Sequence, residues 1–590
     1  MACARWLTGL ASVFATLMLV GCTDRIAPPE AATPTEPVAA PEPPTKTVGI
    51  VPDIAGGLIR GKASELPPPP PPKPGEIVIP TTGATWPWDI ASAPDPRPSR
   101  PVAIPDVSQP ISGLVVRPEA DRALVTISLP GTKPGDSVQT RLVWCDTAAG
   151  KALGEWEVTD LWVPLGLSPD GRRFLMRRAD LARQVLAVWT VVGEDKLDRK
   201  SFTPHSAPAD LLTRHPTIAT SVATSQDIAW AAWVGAGRIV SSSVPGQLRV
   251  FEADTFKQVG TIDAVPGRPA LTPDGKKVAF LVGNGVALLD PATATVTGIR
   301  RTGKPPEPAA LAFRPDGKML AIGGLGQTIF LDLVAGDAWE SPTSAETRGL
   351  REVPVSFGWA GTRHLLTGHQ KLHLCDPSTP VPVWSYAGAA QARAIGRETW
   401  VVLHDSEMVA TLRAFELPHK GAEAQIAAEI GKPGVCLLRP GEEVRIDASA
   451  IPADRKAEVI ANLESRLRAI GYRPGPAGAA TVVASLDTPA PATAPVFWYP
   501  SIAYNRQAAR LKLVKDEKVL WEQAWAHDPP SYLTFPSKAL FDAHVQEARY
   551  GRPDERLFSA APIPRLVRSP DSLGVFGHSD LTPEGIQDRP

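Results

Sequence analysis

The chain has 590 residues, of which 43% are hydrophobic and 21% are charged, a composition typical of soluble globular proteins. At about 100–200 residues per domain, this length predicts two to four domains. Lysine and arginine together number 61 against 62 for aspartate and glutamate, so the net charge is −1. That balance excludes the basic excess that a protein needs to bind the phosphate backbone of nucleic acids.

The N-terminus has the features of a secretion signal. Arg5 supplies one positive charge, and residues 6–20 form an uncharged apolar run that is shorter than the roughly 20 residues needed to span a bilayer. The run ends in Leu19-Val20-Gly21-Cys22, which resembles the lipobox of bacterial lipoproteins. The resemblance implies cleavage of residues 1–21 and a diacylglyceryl lipid on the Sγ of Cys22. An ordinary secretory signal and an uncleaved anchor stay open as alternatives.

The same resemblance implies a location in the cell envelope. Thr23 stands where aspartate would retain a lipoprotein in the inner membrane, so we expect the periplasmic face of the outer membrane. No other stretch approaches about 18 apolar residues, so the sequence predicts no transmembrane helix.

Residues 22–110 form a proline-rich segment, with six consecutive prolines at 67–72. Such a composition favours polyproline II and cannot pack a core, so we predict a disordered, semi-rigid tether. A proline-rich ligand for SH3-like partners is the alternative. Trp86 and Trp88 are exceptions within the tether, because two solvated indoles would be costly. We expect them to dock on the folded part, or else to serve as a binding epitope.

Internal repeats follow the tether. Pro169-Asp170-Gly171, Pro273-Asp274-Gly275 and Pro315-Asp316-Gly317 each connect two apolar strands, and a decayed copy lies near Gly361. Proline fixes φ, aspartate bonds back to the turn, and glycine takes a positive φ, as in a tight hairpin. An alternating strand recurs near seven residues with separations of 44, 62, 38, 42, 44 and 40, namely Cys145, Trp189, Phe251, Leu289, Leu331, Cys375 and Phe415.

A period of about 40–45 residues with four short strands each is typical of β-propeller blades. We therefore predict a mainly β chain with a seven-bladed β-propeller over residues 111–418, with six or eight blades and a β-sandwich as alternatives. The turns resemble those of WD40-like and TolB-type propellers, although no repeat closes with Trp-Asp. This resemblance implies the propeller fold and says almost nothing about activity.

The pattern changes after residue 418 to that of a small α+β domain over residues 430–535. Apolar residues at helical spacing predict a helix over residues 453–470, between strands near residues 444–447 and 481–486. A hairpin over residues 509–525 completes a β-α-β-β unit. Residues 536–590 are predicted as a short helix, at 537–549, and a tail.

No set of residues in the sequence forms a convincing catalytic, cofactor or metal site. Gly577-His578-Ser579-Asp580 begins like a nucleophile elbow, but Leu581 replaces the required glycine. His364, His369 and His373 are interpreted as packed or solvated side chains, Gly323 to Gly326 as a tight turn, and Glu442-Glu443 as exposed. With Cys3 removed and Cys22 lipidated, Cys145, Cys375 and Cys436 are an odd, widely spaced set, interpreted as buried apolar groups.

These features predict a membrane-anchored envelope lipoprotein whose propeller is a non-enzymatic scaffold for a protein partner, with no cofactor and no nucleic acid. The alternative is an enzyme, or a glycan- or small-molecule-binding lipoprotein, with its site at the propeller channel mouth; a purely structural envelope component is a third reading. Buried, convergent carboxylates or histidines at the mouth would favour an enzyme, whereas an apolar or aromatic rim would favour partner binding. Most tryptophans of the repeat region are expected to fill gaps between blades, and the alternative is that one or two of them line the channel mouth.

Overall fold

The structure is a computed structural model that describes residues 88–105, 107–130, 138–179, 184–192, 196–205, 227–244, 246–282, 285–302, 309–324, 327–342, 356–368, 371–377, 382–404, 408–496, 499–529, 550–572 and 574–589. The predicted signal peptide, Cys22, Trp86, the proline run and the predicted helix 537–549 lie outside these residues. Within the described ranges, no helix is both long enough and apolar enough to cross a membrane.

The predicted fold is confirmed as a seven-bladed β-propeller followed by a small α+β domain. The first four blades have four strands each. Blade 1 is β2 (Ile111–Val116), β3 (Arg122–Leu129), β4 (Gln139–Asp146) and β5 (Lys151–Thr159), and blade 2 is β6 (Trp162–Leu167), β7 (Arg173–Arg178), β8 (Leu186–Val191) and β9 (Leu197–Phe202). Blade 3 is β10 (Ile228–Val234), β11 (Arg238–Ser243), β12 (Gln247–Glu252) and β13 (Gln258–Asp263), and blade 4 is β15 (Ala270–Leu271), β16 (Val278–Val282), β17 (Gly285–Asp290) and β18 (Thr295–Arg301).

Blades 5 and 6 have additional strands, and blade 7 receives its fourth strand from the segment before blade 1. Blade 5 is β19 (Ala309–Phe313), β20 (Met319–Gly324), β21 (Gln327–Asp332) and β22 (Ala338–Pro342), with β14 (Gly267–Arg268) parallel to β19; blade 6 begins with β23 (Ser356–Ala360), β24 (His364–Gly368), β25 (Leu372–Cys375) and β26 (Pro382–Ala387); blade 7 has β27 (Ala389–Ile395), β28 (Glu398–His404) and β29 (Ala410–Glu416). The innermost strands contact each other around a closed ring, in which β27 meets β2.

The periodic strand identified in the sequence is the third strand of every blade. All seven predicted positions, from Cys145 in β4 to Phe415 in β29, lie in that strand. The separation of 62 residues comes from a long connection between β9, which ends at Phe202, and β10, which begins at Ile228. Blades packed on both faces require apolar residues on both, which explains continuous runs such as that of β16.

The turns between the first and second strands share one backbone feature. Each contains a residue of positive φ: Ala120 at 57°, Gly171 at 69°, Gly235 at 57°, Gly275 at 71°, Gly317 at 71°, Gly361 at 60° and Gly396 at 58°. The predicted Pro-Asp-Gly hairpins form as expected, since Asp274 accepts a hydrogen bond from the Lys276 amide at 3.2 Å and Asp316 from the Lys318 amide at 3.0 Å.

The last blade is closed by the first strand of the described residues. The strand β1 (Val102–Ile104) pairs antiparallel with β29, and the side chains of Val102 and Ile104 are fully buried. The structure therefore differs from the predicted tether boundary at residue 110. The composition of this stretch is proline-rich, but its few apolar side chains are enough to fix it in place.

The C-terminal domain contains a helix on a mixed five-stranded sheet. Its elements are α1 (Lys420–Gly431), β30 (Cys436–Leu438), β31 (Glu443–Ala450), α2 (Ala453–Ala469), β32 (Arg473–Pro474), β33 (Ala480–Leu486), β34 (Ala490–Val496), β35 (Tyr499–Arg506), β36 (Ala509–Lys515), β37 (Lys518–Trp525), α3 (Leu557–Ala560), β38 (Val567–Arg568), a 3₁₀ turn (Pro570–Ser572), β39 (His578–Leu581) and β40 (Ile586–Arg589). The sheet order is β32-β31-β33-β36-β37, and Val459, Leu463 and Leu467 of α2 are buried against it, as the helical spacing predicts.

The C-terminal segment returns to the propeller, which differs from the predicted tail. Strand β38 pairs with β30, and β39 pairs in parallel with the outer strand β26 of blade 6, followed by β40. Burial of Phe558, Ile563 and Leu581 holds this segment in place.

The α+β domain shares its core with blades 5 and 6. Trp339 and Phe330 of blade 5 belong to one buried cluster with Trp521 and Phe558 of the domain. At its edge, the buried Glu340 carboxylate accepts hydrogen bonds from Trp521 Nε1 at 3.2 Å and Gln523 Nε2 at 2.6 Å. The domain therefore packs on the side of the propeller as part of one continuous structure.

Candidate binding site at the channel mouth

A cavity of about 580 Å³ lies at one mouth of the central channel, and all seven blades line it. Its wall is formed by the innermost strands and by six of the seven turns that carry a positive φ. These turns position the site because each one connects the innermost strand of a blade to the second strand at the edge of the channel. A volume of this size matches the range of about 300–1,000 Å³ found for ligand pockets.

A segment that we call the strap, residues 88–101, runs along this mouth. Trp88 and Ile90 are buried against blades 4 and 5, which confirms the expected docking of Trp88. The Ala93 amide then donates to the Pro315 carbonyl at 2.7 Å, and the Arg97 amide donates to the Glu119 carbonyl at 3.1 Å. Because Ala93 and Pro94 line the cavity, the strap forms part of its wall.

The wall of the cavity is mostly apolar and aromatic. Trp230, Trp233 and Trp359 line it together with Phe313 and Phe357. Trp359 is held by a hydrogen bond from Nε1 to the Ala312 carbonyl at 2.9 Å, whereas Trp230 and Phe357 are only half-buried and so present ring surface to the opening. Three tryptophans thus line the mouth, where one or two were only the alternative to packing between blades.

The acidic groups of the wall are engaged within their own turns. Glu119 accepts a hydrogen bond from Arg117 Nε at 2.8 Å, and Asp274 accepts one from Thr272 Oγ1 at 2.7 Å. They lie on turns of blades 1 and 4, so no convergent carboxylate pair forms among the described wall residues. Of the two linings distinguished from the sequence, the described wall has the apolar and aromatic one.

Arg393, on β27, is an arginine in the wall of the cavity. Its side chain is exposed within the cavity, and its Nε donates to the Leu114 carbonyl of blade 1 at 3.1 Å. Among the described residues, no carboxylate lies within ion-pair distance of its guanidinium, and this Nε bond is its one hydrogen bond. Enclosure by protein, with the positive charge of Arg268 nearby, lowers the pKa of Arg393.

The suspected nucleophile elbow is a structural feature of β39. Ser579 is buried, accepts a hydrogen bond from Trp384 Nε1 at 3.0 Å and donates one to Asp588 Oδ1 at 2.7 Å. His578 bonds Ser385 instead, with Nδ1 and Oγ 2.5 Å apart. The Ser579 hydroxyl is therefore fixed between blade 6 and the C-terminal strand and faces no opening.

The other sequence candidates are dispersed. His364 begins β24 and is buried, His373 pairs with Thr367 at the other end of that strand, and His369 lies outside the described residues. Glu442 and Glu443 are half-buried rather than exposed, because each accepts a backbone amide, from Arg439 at 3.1 Å and Ala477 at 2.7 Å respectively.

The glycine cluster and the cysteines also have packing roles. A Cβ on Gly323 would lie 2.2 Å from the ring of Phe357, so glycine permits that close approach. Gly324 pairs with Gln327, and residues 325–326 of the predicted turn lie outside the described residues. Cys145 and Cys375 occupy the third strands of blades 1 and 6, and burial raises the pKa of both thiols to about 12. Only Cys145 is fully buried; Cys375 and Cys436 are half-buried, and all three are free.

Within the described part of the chain, no group of three His, Cys, Asp or Glu side chains is placed to hold a metal ion. The sequence reasoning missed both Arg393 and the strap. A single arginine on a strand without clear alternation belongs to no recognisable sequence motif. The proline-rich composition of the strap predicts a tether, so it gives no indication that the segment packs along the blade turns.

Comparison with known proteins identifies no family for the chain. No protein-family model matches the chain, and no curated protein is similar to it in sequence. Among the solved structures that match, the crystal structure of BamB from Moraxella catarrhalis is 11% identical, with a TM-score of 0.32 over 52% of this chain and 84% of that chain. The seven-bladed propeller is therefore established by the strand order and register described above.

Proposed function

We propose that this protein is a lipid-anchored scaffold of the bacterial envelope whose propeller binds a protein partner at the channel mouth. The observation that carries the proposal is the wall of the cavity, in which half-buried aromatic rings face the opening and the acidic groups are bonded within their own turns. Aromatic side chains in a concave, partly desolvated surface are typical of the residues that dominate protein interfaces.

Partner binding is tested by removing one aromatic ring from the mouth. Trp230→Ala in the full chain should reduce recovery of crosslinked partner from envelopes by about tenfold, since interface tryptophans commonly contribute more than 1 kcal/mol. Trp156→Ala is the matched control, because Trp156 is also half-buried but lies on β5, outside the cavity wall. Circular dichroism melting of both variants checks that they fold.

Equal recovery with wild type and Trp230→Ala would place the interface elsewhere. Loss in both variants alike would indicate a general effect of truncating a tryptophan. Absence of any crosslinked partner from intact envelopes would count against the scaffold and favour a glycan or small-molecule ligand.

The anchor is proposed from the lipobox-like sequence at Cys22, since the thioether requires that sulfur. Cys22→Ala should move the protein from the membrane fraction to the soluble fraction without changing its melting temperature. Cys3→Ala is the control, because Cys3 lies in the segment that cleavage would remove. Retention of Cys22→Ala in membranes would contradict lipid anchoring at this residue.

A further inference from the structure

We infer that the channel mouth recognises an acidic side chain of the partner, carried on an extended peptide, and that Arg393 is the group that binds its carboxylate. The inference rests on the proposed function, because it names the chemistry of the occupant of the same cavity. It is carried by the position and surroundings of Arg393 and by the way the strap already lies on this face.

The guanidinium of Arg393 is oriented by the fold before any ligand arrives. Its Nε donates to the Leu114 carbonyl of the neighbouring blade at 3.1 Å, so the side chain bridges blades 7 and 1. The two Nη groups make no hydrogen bond to a described residue. An oriented guanidinium whose Nη donors are not used by the described residues is suited to two parallel hydrogen bonds with a carboxylate.

The charge around the cavity also favours an anion at this point. Arg268 adds a second positive charge near Arg393, and confinement by protein strengthens their repulsion. Glu119 is paired with Arg117 and Asp274 is bonded within its turn, so neither neutralises Arg393. A bound carboxylate would offset the positive charge of Arg393.

The remaining wall selects a peptide over a free inorganic anion. The aromatic and aliphatic side chains around Arg393, which include Phe357 and Ile395, would contact an apolar neighbour of the acidic residue. The strap shows that extended chain fits this face, because its amides donate to carbonyls of the turns of blades 5 and 1. The chain as a whole carries no basic excess that would favour a polyanion such as nucleic acid.

Two probes that differ by one charge test the inference. Isothermal titration of the full chain with acetyl-Phe-Glu-amide and acetyl-Phe-Gln-amide compares a carboxylate with its neutral isostere of nearly equal size. We expect the acidic probe to bind about tenfold more tightly, in line with the strength of a charge-assisted hydrogen bond. Arg393→Gln should abolish this preference, and Arg393→Lys should retain part of it.

Arg397→Gln is the matched control, because Arg397 lies on the same hairpin, is exposed and does not line the cavity. It should keep the full preference for the acidic probe. Equal affinity for the two probes, a preference that survives Arg393→Gln, or no binding of either probe at about 1 mM would overturn the inference. A partner that still depends on Trp230 in any of these cases would leave the scaffold standing and refute only the role of Arg393.

Discussion

At the scale of single residues, Glu340 links the propeller to the C-terminal domain. Its carboxyl is buried, and burial raises its pKa to about 7, although Trp521 and Gln523 both donate to it. Because the pKa of Glu340 is higher in the folded protein than in the unfolded chain, the folded state is most stable when this carboxyl is neutral. Its contribution to stability is complete below about pH 4.5 and is lost as pH rises towards 7.

Glu340→Gln should therefore remove the part of the pH dependence of the free energy of unfolding that comes from this carboxyl. Between pH 5 and pH 8, the free energy of unfolding of the wild type should fall relative to the variant by up to about 3 kcal/mol. Urea titrations of both proteins at the two pH values measure the difference. The control is Glu458→Gln, since Glu458 is exposed on α2. A difference between wild type and Glu340→Gln that is the same at both pH values would contradict this account.

At the scale of elements, the blade turns show what the sequence can and cannot reveal. Pro-Asp-Gly marks three turns because these residues fit the hairpin locally. The turn of blade 1 has the same form, with Arg117 Nε donating to Glu119 at 2.8 Å, but Ala120 takes the positive φ of 57°. An alanine in that conformation is unusual, so this copy could not be found from residue types.

The strap packs against only one of two Pro-Asp-Gly-Lys turns that have the same sequence. Gly275 and Gly317 both have a φ of 71°, but a Cβ on Gly275 would meet nothing within 4 Å, whereas one on Gly317 would lie 2.3 Å from the Ile90 carbonyl oxygen. Gly275→Ala should cost about 1 kcal/mol from backbone strain alone. Gly317→Ala should cost more, because the strap must also move.

Urea unfolding of the two variants measures this difference, and proteolysis near residue 90 reports whether the strap has loosened. Faster cleavage is expected for Gly317→Ala only. Equal costs and equal cleavage would mean that the strap does not bear on the turn of blade 5.

At the scale of the whole molecule, the long-range pairings explain what sequence analysis could not foresee. The seven blades were predictable because each repeats a local pattern of strands and turns. The closing pair of β1 with β29 and the return of β39 to β26 join residues hundreds of positions apart through strands of three and four residues. Such short strands carry no periodicity of their own, so their positions depend on the finished core.

The candidate site was predictable in kind but not in its residues. The sequence left open whether tryptophans pack between blades or line the mouth, and Trp230 and Arg393 line one cavity only because the ring closes. The same closure brings the strap to the mouth, since it leads directly into β1.

The most direct test of the account is site-specific photocrosslinking of the full chain in its own envelope. A benzoylphenylalanine residue replaces Lys276, an exposed residue in the cavity wall, or Lys257, an exposed residue in the outer hairpin of blade 3. The account predicts a discrete protein adduct from position 276 and none from position 257. An adduct from 257 without one from 276, or none from 276 in intact envelopes, would contradict the claim that the channel mouth is the partner-binding face.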